Sequence, residues 1–213
     1  MKALLLTVSF AWVLAALNLL AAPNLLAVEN PDSGWIKMLD GKTLAGWQAN
    51  EMPEQWTVVD GTIKTPPGRS HLFYVGQEFT NFELKAQVKT TPGSNSGIFF
   101  HTKWQDEGWP VHGYESQVNQ TQTDPVKSGS LYNVVKLYDS PAKDNVWYEH
   151  RIAVRGKNIR IHINGKLVID FTEPAGVTET RRLSSGHIAL QGHDPKSVVY
   201  YKELQIRPLE KTE

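Results

Sequence analysis

Apolar and polar residues alternate through most of the chain. In FELKAQVK, residues 82–89, every second side chain is apolar, as expected of a strand with one buried face. The same alternation occurs in EHRIAVRG (149–156), GHIALQGH (186–193) and SVVYYKELQIRPL (197–209). No window of useful length has the three-and-four spacing of an amphipathic helix. The pattern predicts an all-β domain.

Turn signals separate these strands. Asn164-Gly165 divides NIRIHINGKLVIDF, residues 158–171, into two alternating runs, and Asp60-Gly61 divides WTVV from TIK. Such pairs favour tight hairpins because both turn positions take positive φ. The chain divides into about eleven short strands, which predicts an antiparallel sandwich or barrel. Two long loops remain, 103–112 and 121–130, and the tryptophans of the first favour an ordered loop.

Three of the predicted strands carry polar groups on one face. They lie in SGIFFH, GYESQVNQ and GHIALQGH, and the residues on these faces are Gly97, Phe99, His101, Glu115, Gln117, Asn119, His187, Ala189, Gln191 and His193. An ordinary solvent face of a sheet is the simpler interpretation for any one of them. Together they are rich in amides and imidazoles and lack lysine, which favours a groove for a neutral sugar.

The overall charge argues against some partners. The 213 residues include 22 basic and 22 acidic side chains, so the chain has no electrostatic footprint for nucleic acid. There is no cysteine, so neither disulfides nor a lipid-bearing cysteine is expected.

Residues 1–27 have the pattern of an export signal. Lys2 precedes a long apolar run that ends in small residues, and cleavage after Ala22 or Ala27 fits the pattern. The alternative is an uncleaved membrane anchor. We expect a periplasmic or extracellular protein without stable membrane association after cleavage, and a single domain over residues 34–209.

Six short motifs occur in one order along the chain: LDGKTLAGW, NSGIFFH, GYESQVNQ, KSGSLY, INGK and GHIALQGHDP. Together they resemble the 3-keto-disaccharide hydrolase family of the concanavalin A-like lectin/glucanase jelly rolls. The resemblance covers residues 34–209. It implies a sandwich of two antiparallel sheets with a concave ligand groove, and action on sugars oxidised to a ketone at C3.

The strand GYESQVNQ bears on the chemistry. Ordinary glycoside hydrolysis uses two carboxylates, but this face offers Glu115 and two amides, unless Asp124 or Asp194 supplies the second acid. A 3-keto sugar needs only one base, because the ketone acidifies C2–H and the enolate can expel the C1 substituent before water adds. The candidates for base and acid are His101, Glu115 and His193, since imidazole transfers protons in either direction.

Other residues are candidates for substrate binding. Three amides suit sugar hydroxyls, two tryptophans could stack on a sugar face, and three residues match the KSGSLY motif of the family. These candidates are Gln117, Asn119, Gln191, Trp104, Trp109, Lys127, Ser130 and Tyr132. Asp194 could orient His193 or simply form a turn with the following proline. Two residues depart from the family pattern: Ser116 stands where an aliphatic is usual, and Asn133 where a small residue is expected.

The sequence leaves alternatives open for both the cofactor and the function. A divalent metal held by His101, Glu115 and His193 could stabilise the enolate, although no tight ligand motif supports it. No other cofactor is expected. The main prediction is a hydrolase that acts on neutral 3-keto-glycosides; a carbohydrate-binding lectin domain and a conventional glycoside hydrolase are the alternatives.

Overall fold

The computed structural model describes residues 34–210, which form thirteen β-strands and one 3-10 turn. The strands are β1 Ile36–Lys37, β2 Trp47–Ala49, β3 Thr57–Val59, β4 Thr62–Lys64, β5 Ser70–Tyr74, β6 Phe82–Thr90, β7 Asn95–Thr102, β8 Tyr114–Asn119, β9 Tyr148–Arg155, β10 Asn158–Ile163, β11 Lys166–Thr172, β12 His187–Gly192 and β13 Val199–Pro208. The 3-10 turn is Pro53–Gln55. The all-β prediction is confirmed for this part of the chain.

The strands form two antiparallel sheets. One sheet has eight strands in the order β11-β10-β9-β6-β13-β4-β3, with β1 also paired to β13, and the other has the order β2-β5-β12-β7-β8. The apolar faces of the two sheets meet in one core, in which Phe82, Ile98, Tyr148, Leu190 and Tyr201 are almost completely buried. This is the predicted jelly-roll sandwich.

Both predicted tight turns are present. Asn164 and Gly165 join β10 to β11 with φ values of 50° and 74°, and Asp60 and Gly61 join β3 to β4 with φ values of 49° and 74°. Asn133 also has a positive φ, 60°, and asparagine adopts this left-handed conformation more readily than most residues. The left-handed backbone at position 133 therefore explains why an asparagine stands where the family pattern has a small residue.

A buried polar contact between Ser116 and His150 links the two sheets. The Ser116 hydroxyl on β8 lies 2.7 Å from Nε2 of His150 on β9, and both residues are completely buried. The His150 imidazole is therefore a hydrogen-bond partner for the Ser116 hydroxyl, which explains why a serine is tolerated at a buried position where an aliphatic residue is usual. Burial lowers the pKa of His150 to about 3, so the folded protein keeps this ring neutral.

The export signal expected at residues 1–27 lies outside the described residues. No helix within residues 34–210 has the length and hydropathy needed to cross a bilayer.

We predict that His150 makes the fold sensitive to acid. The unfolded chain binds a proton at the ordinary imidazole pKa, whereas the folded chain does not, so the free energy of unfolding falls as the pH drops below about 6.5. His150→Gln should reduce the loss of stability between pH 7.5 and pH 5.0 by about 2 kcal/mol. Urea denaturation at the two pH values measures this.

His112→Gln, at an exposed loop position, is the control for a histidine-to-glutamine change that leaves His150 in place. An unchanged pH dependence in His150→Gln would contradict the prediction.

Candidate functional site

The candidate site is a cavity of about 380 Å³ on the outer face of the five-stranded sheet, the face turned away from the core. We call it the Glu115 cavity. Its lining residues are Asn95, Phe99, Trp109, Glu115, Gln117, Asp124, Tyr132, Arg181, Gln191 and His193. Ten aromatic, amide and ionisable side chains from strands and loops thus converge on one space, as in a small-molecule site.

Glu115 lies on the floor of the cavity because of Gly97. Gly97 pairs with Gln117 and Phe99 with Glu115 across β7 and β8, so Gly97 is the diagonal neighbour of Glu115. A Cβ atom at position 97 would come within 2.9 Å of the Glu115 Cγ and Cδ atoms. The carboxyl group of Glu115 therefore occupies the space that a side chain on the neighbouring strand would fill. Glu115 is only 4% exposed.

Burial controls the protonation of Glu115. Desolvation raises the pKa of the carboxyl group to about 8, while Arg181 and a hydrogen bond from Gln191 act in the opposite direction. Gln191 Nε2 donates to Glu115 Oε1 over 3.2 Å, and Gln191 Oε1 has no partner of its own. At neutral pH Glu115 is a neutral acid that can donate a proton, next to an amide oxygen that can still accept one.

His193 follows β12 and is oriented by its neighbour. Its Nδ1 lies 2.9 Å from Asp194 Oδ2, and that carboxylate also accepts from the Ser197 hydroxyl over 2.6 Å. The Ser197 hydroxyl in turn accepts from the Asn95 backbone N–H at 2.8 Å. With Nδ1 directed to a carboxylate, Nε2 of His193 is the nitrogen available for proton transfer.

Trp109 covers the apolar side of the cavity. Its ring lies 5.3 Å from the His193 ring and 5.5 Å from that of His71, which is itself completely buried. Trp104, from the same loop, packs on Phe73 at 5.1 Å and bonds to Asp106. The predicted ordered loop is present, but only Trp109 reaches the cavity.

The prediction that His101 shares the polar face is wrong. Phe99 pairs with Ala189 and Thr102 with His187, so β7 contains one extra residue, and His101 has a φ of 56°. A bulge of this kind reverses the alternation of side chains. The ring turns to the inner side, 5.7 Å from that of Phe82.

His101 has a structural role in this position. Its Nε2 lies 2.8 Å from the carbonyl oxygen of Thr80, and its Nδ1 accepts from the Ser184 backbone N–H over 3.2 Å. Burial lowers the pKa of His101 to about 4, so the ring stays neutral and joins two loops. Gly113 and Gly186 allow the bulge, since a Cβ atom at either would lie about 2.5 Å from the His101 backbone.

Three other predicted binding residues hold the neighbouring loop. Asn119 donates to the carbonyl oxygens of Asp124 and Val126, each over 2.9 Å, and its side-chain oxygen accepts from a backbone N–H. Lys127 donates to the Asp124 carbonyl over 2.8 Å. Ser130 bonds within its own turn, at 2.8 Å from the carbonyl oxygen of Lys127. These side chains lie outside the cavity lining and fix the segment that presents Asp124.

The remaining predicted residues come together as expected. Glu115, Gln117, Tyr132, Gln191, His193 and Trp109 all line the cavity. Two lining residues were missed by the sequence analysis. Asn95 lies at an alternate position with Gly97 and Phe99, so the period of two could have included it. Arg181 lies on a loop whose sequence carries no such signal.

The three residues suggested as ligands of a divalent metal do not come together. His101 lies on the opposite side of the sheet from Glu115 and His193, and residues 34–210 contain no group of three or more His, Asp or Glu side chains with metal-binding geometry. His101, Glu115 and His193 therefore do not fit a shared divalent metal centre.

The fold and the site define the class of this protein. It is a jelly-roll sandwich with a polar, partly aromatic cavity on the outer face of its five-stranded sheet. Residues 34–207 match the 3-keto-alpha-glucoside-1,2-lyase-like domain, and the chain belongs to that family.

Individual relatives agree with this assignment. A 3-keto-disaccharide hydrolase from Bacteroides thetaiotaomicron is 36% identical over 78 residues, which cover 32% of this chain and 27% of that protein. The match thus spans about a quarter of the relative's length. Two crystal structures of candidate glycosyl hydrolases from Parabacteroides distasonis have the same fold. They have TM-scores of 0.73 and 0.67 at 21% and 24% identity, and cover 88% and 82% of this chain and 99% of each of theirs.

We predict that Gly97→Ala strains the site mainly through Glu115. The added methyl group overlaps the carboxyl side chain, and such overpacking costs about 1–3 kcal/mol of unfolding free energy. In a Glu115→Ala background most of this cost should disappear, because the clash has no partner. A double-mutant cycle measured by urea denaturation gives the coupling. Equal costs in both backgrounds would contradict the contact.

Proposed function

We propose that this domain cleaves neutral 3-keto-glycosides by elimination across C1 and C2, followed by addition of water. The observation that carries the proposal is the pairing of a neutral carboxylic acid, Glu115, with a carboxylate-oriented imidazole, His193, in one cavity. An elimination needs this combination of one base and one acid. The family description, a lyase acting across positions 1 and 2 of a 3-keto-glucoside, supports the same reaction.

The first step assigns the base to His193. Nε2 takes the proton from C2, and the electrons of the C–H bond form a C2–C3 double bond and a negative oxygen at C3. The contact between Nδ1 and Asp194 stabilises the imidazolium that results. His101 has no part in this step because its ring lies on the core side of the sheet.

The second step assigns the acid to Glu115. The enolate reforms the ketone and a C1–C2 double bond as the C1–O bond breaks, and Glu115 gives its proton to the departing oxygen. Water then adds at C1, the Glu115 carboxylate accepts a proton from that water, and His193 returns its proton to C2. The sum is hydrolysis, and both residues recover their starting protonation states.

The other lining groups suit the neutral parts of the substrate. Gln191 Oε1 is a buried acceptor without a donor, which fits a sugar hydroxyl. The Gln117 amide is held by Asn95 Oδ1 at 2.9 Å and can direct its oxygen into the cavity. Trp109, 43% exposed, offers a ring face to C–H groups. Action after export is part of the same proposal, on the evidence of the N-terminal sequence.

A conventional glycoside hydrolase is a second candidate because Asp124 lines the same cavity as Glu115. A raised-pKa glutamic acid and a carboxylate across a glycosidic bond are the parts that such an enzyme requires. The two candidates differ in their substrates, since only the elimination needs the C3 ketone.

The decisive experiment is incubation of the purified protein in D₂O with a 3-keto-disaccharide and with its unoxidised parent, with and without chelator. We expect cleavage of the 3-keto sugar alone, deuterium at C2 of the released sugar, and no effect of the chelator. Glu115→Gln should slow cleavage by about 10²–10⁴-fold yet retain C2 exchange, whereas His193→Gln should lose both.

His112→Gln, at an exposed loop position, is the matched control and should behave as the parent protein does. Cleavage of the unoxidised sugar, together with its loss in Asp124→Asn, would establish the conventional hydrolase instead. Binding of either sugar without turnover would establish a lectin.

A further inference from the structure

Arg181 is the cationic member of the Glu115 cavity. The lining formed by the described residues includes no other Lys or Arg, while Asp124 supplies a carboxylate and Glu115 is a neutral acid at pH 7. Neither the base nor the acid of the proposed reaction requires a permanent positive charge. The presence of a guanidinium group in a site for a neutral sugar therefore needs its own explanation.

The guanidinium group is not engaged by the protein itself. Within residues 34–210, Arg181 has no carboxylate within 4 Å and its side chain makes no hydrogen bond. Its charge nevertheless reaches the cavity floor, because it acts to lower the pKa values of Glu115 and Tyr132. The five N–H donors of an arginine are thus available beside the acid.

The backbone on both sides of Arg181 is held in place. The Thr180 carbonyl oxygen accepts from the Gly113 N–H over 3.1 Å, and the Leu183 N–H donates to Glu173 Oε2 over 2.5 Å. Glu173, whose side chain is fully buried, also accepts from the Tyr114 hydroxyl over 2.8 Å. The loop that carries Arg181 is therefore anchored to Gly113, the residue before β8, and to a buried carboxylate.

The displaced His101 contributes to the same support. Its neutral Nδ1 accepts from the Ser184 N–H, three residues after Arg181, and its Nε2 bonds to Thr80. An imidazole that the sequence suggested as a base thus holds the loop of the cation. A donor fixed in advance is worth most where negative charge develops during a reaction.

We propose that Arg181 is a further catalytic residue, whose guanidinium group donates hydrogen bonds to the oxygen at C3 as it becomes an enolate. The inference rests on the proposed function. The arginine keeps its protons: the C2 proton goes to His193, the charge on the C3 oxygen is stabilised by Arg181, and it is lost again when the leaving group departs. His101 is a positioning residue for this arginine.

The test compares Arg181→Met with Arg182→Met in the full-length protein. Arg182 is exposed on the same loop and donates to the Thr178 carbonyl over 3.3 Å, so its variant removes the same charge outside the cavity. We expect Arg181→Met to lower the rate of C2 hydrogen–deuterium exchange in the 3-keto-disaccharide by about 10²–10³-fold, with little change in KM. Arg182→Met should exchange at the parent rate.

Two further readouts separate catalysis from a structural role, and a third tests the effect of the Arg181 charge on Glu115. Guanidinium ion added to Arg181→Ala should restore part of the exchange, and Arg181→Lys should keep an intermediate rate because it retains a charge without the planar fork. Arg181→Met should also move the alkaline limb of the pH–rate profile of cleavage to higher pH. The reason is that the arginine acts to lower the pKa of Glu115, the acid for the leaving group. A structural role predicts neither the guanidinium rescue nor the intermediate rate of Arg181→Lys.

The outcomes distinguish this inference from the proposed function. If the parent protein exchanges C2 and cleaves the 3-keto sugar while Arg181→Met exchanges equally fast, the role of Arg181 is overturned and the proposed function stands. If the parent protein shows no C2 exchange with any 3-keto substrate, the proposed function itself fails. Loss of exchange in Arg181→Met with guanidinium rescue supports both.

Discussion

The chemistry of the site depends on the removal of one carboxyl group from water. Glu115 projects from β8 over Gly97 and is 4% exposed, so its ionised form loses most of its hydration. The compensation is limited to one amide hydrogen bond from Gln191 and the more distant charge of Arg181. Desolvation prevails, and the pKa near 8 keeps a proton available at neutral pH. An acid catalyst thus results from packing rather than from an unusual residue.

This arrangement has a cost in stability. Because the folded pKa of Glu115 lies above the unfolded value of about 4.5, the folded chain binds more protons than the unfolded chain between those values. The favourable effect of the protonated form is therefore lost as the pH rises through about 8. On the opposite face of β8, the Ser116–His150 contact favours the fold only while the imidazole is neutral. The free energy of unfolding therefore falls in alkali because of Glu115 on one face of β8, and in acid because of the His150 contact on the other.

The sequence was sufficient for the fold and for the floor of the site. Alternation of apolar residues gave the strands, and Asn-Gly and Asp-Gly pairs gave two turns. The period of two also placed Glu115, Gln117 and Gln191 on one face, because regular strands keep their alternation.

The failures of the sequence analysis have definite physical causes. One inserted residue in β7 turned His101 to the core, and a pattern of period two cannot reveal an insertion of this kind. Asn119 and Lys127 are polar residues near the site, yet their hydrogen bonds are used by the loop that they support. Arg181 is brought in by long-range anchors such as the Glu173 contact, which leave no periodic trace.

The most direct test of the account is a measurement of the pKa of Glu115 in the free protein. Isotope-edited infrared spectroscopy of protein with ¹³C-labelled glutamate, with Glu115→Gln as the subtraction control, resolves the protonated carboxyl band during a titration from pH 5 to pH 10. The account predicts one carboxyl group that keeps its proton at pH 7 and loses it near pH 8. A Glu115 carboxyl group that is already ionised at pH 6 would contradict it.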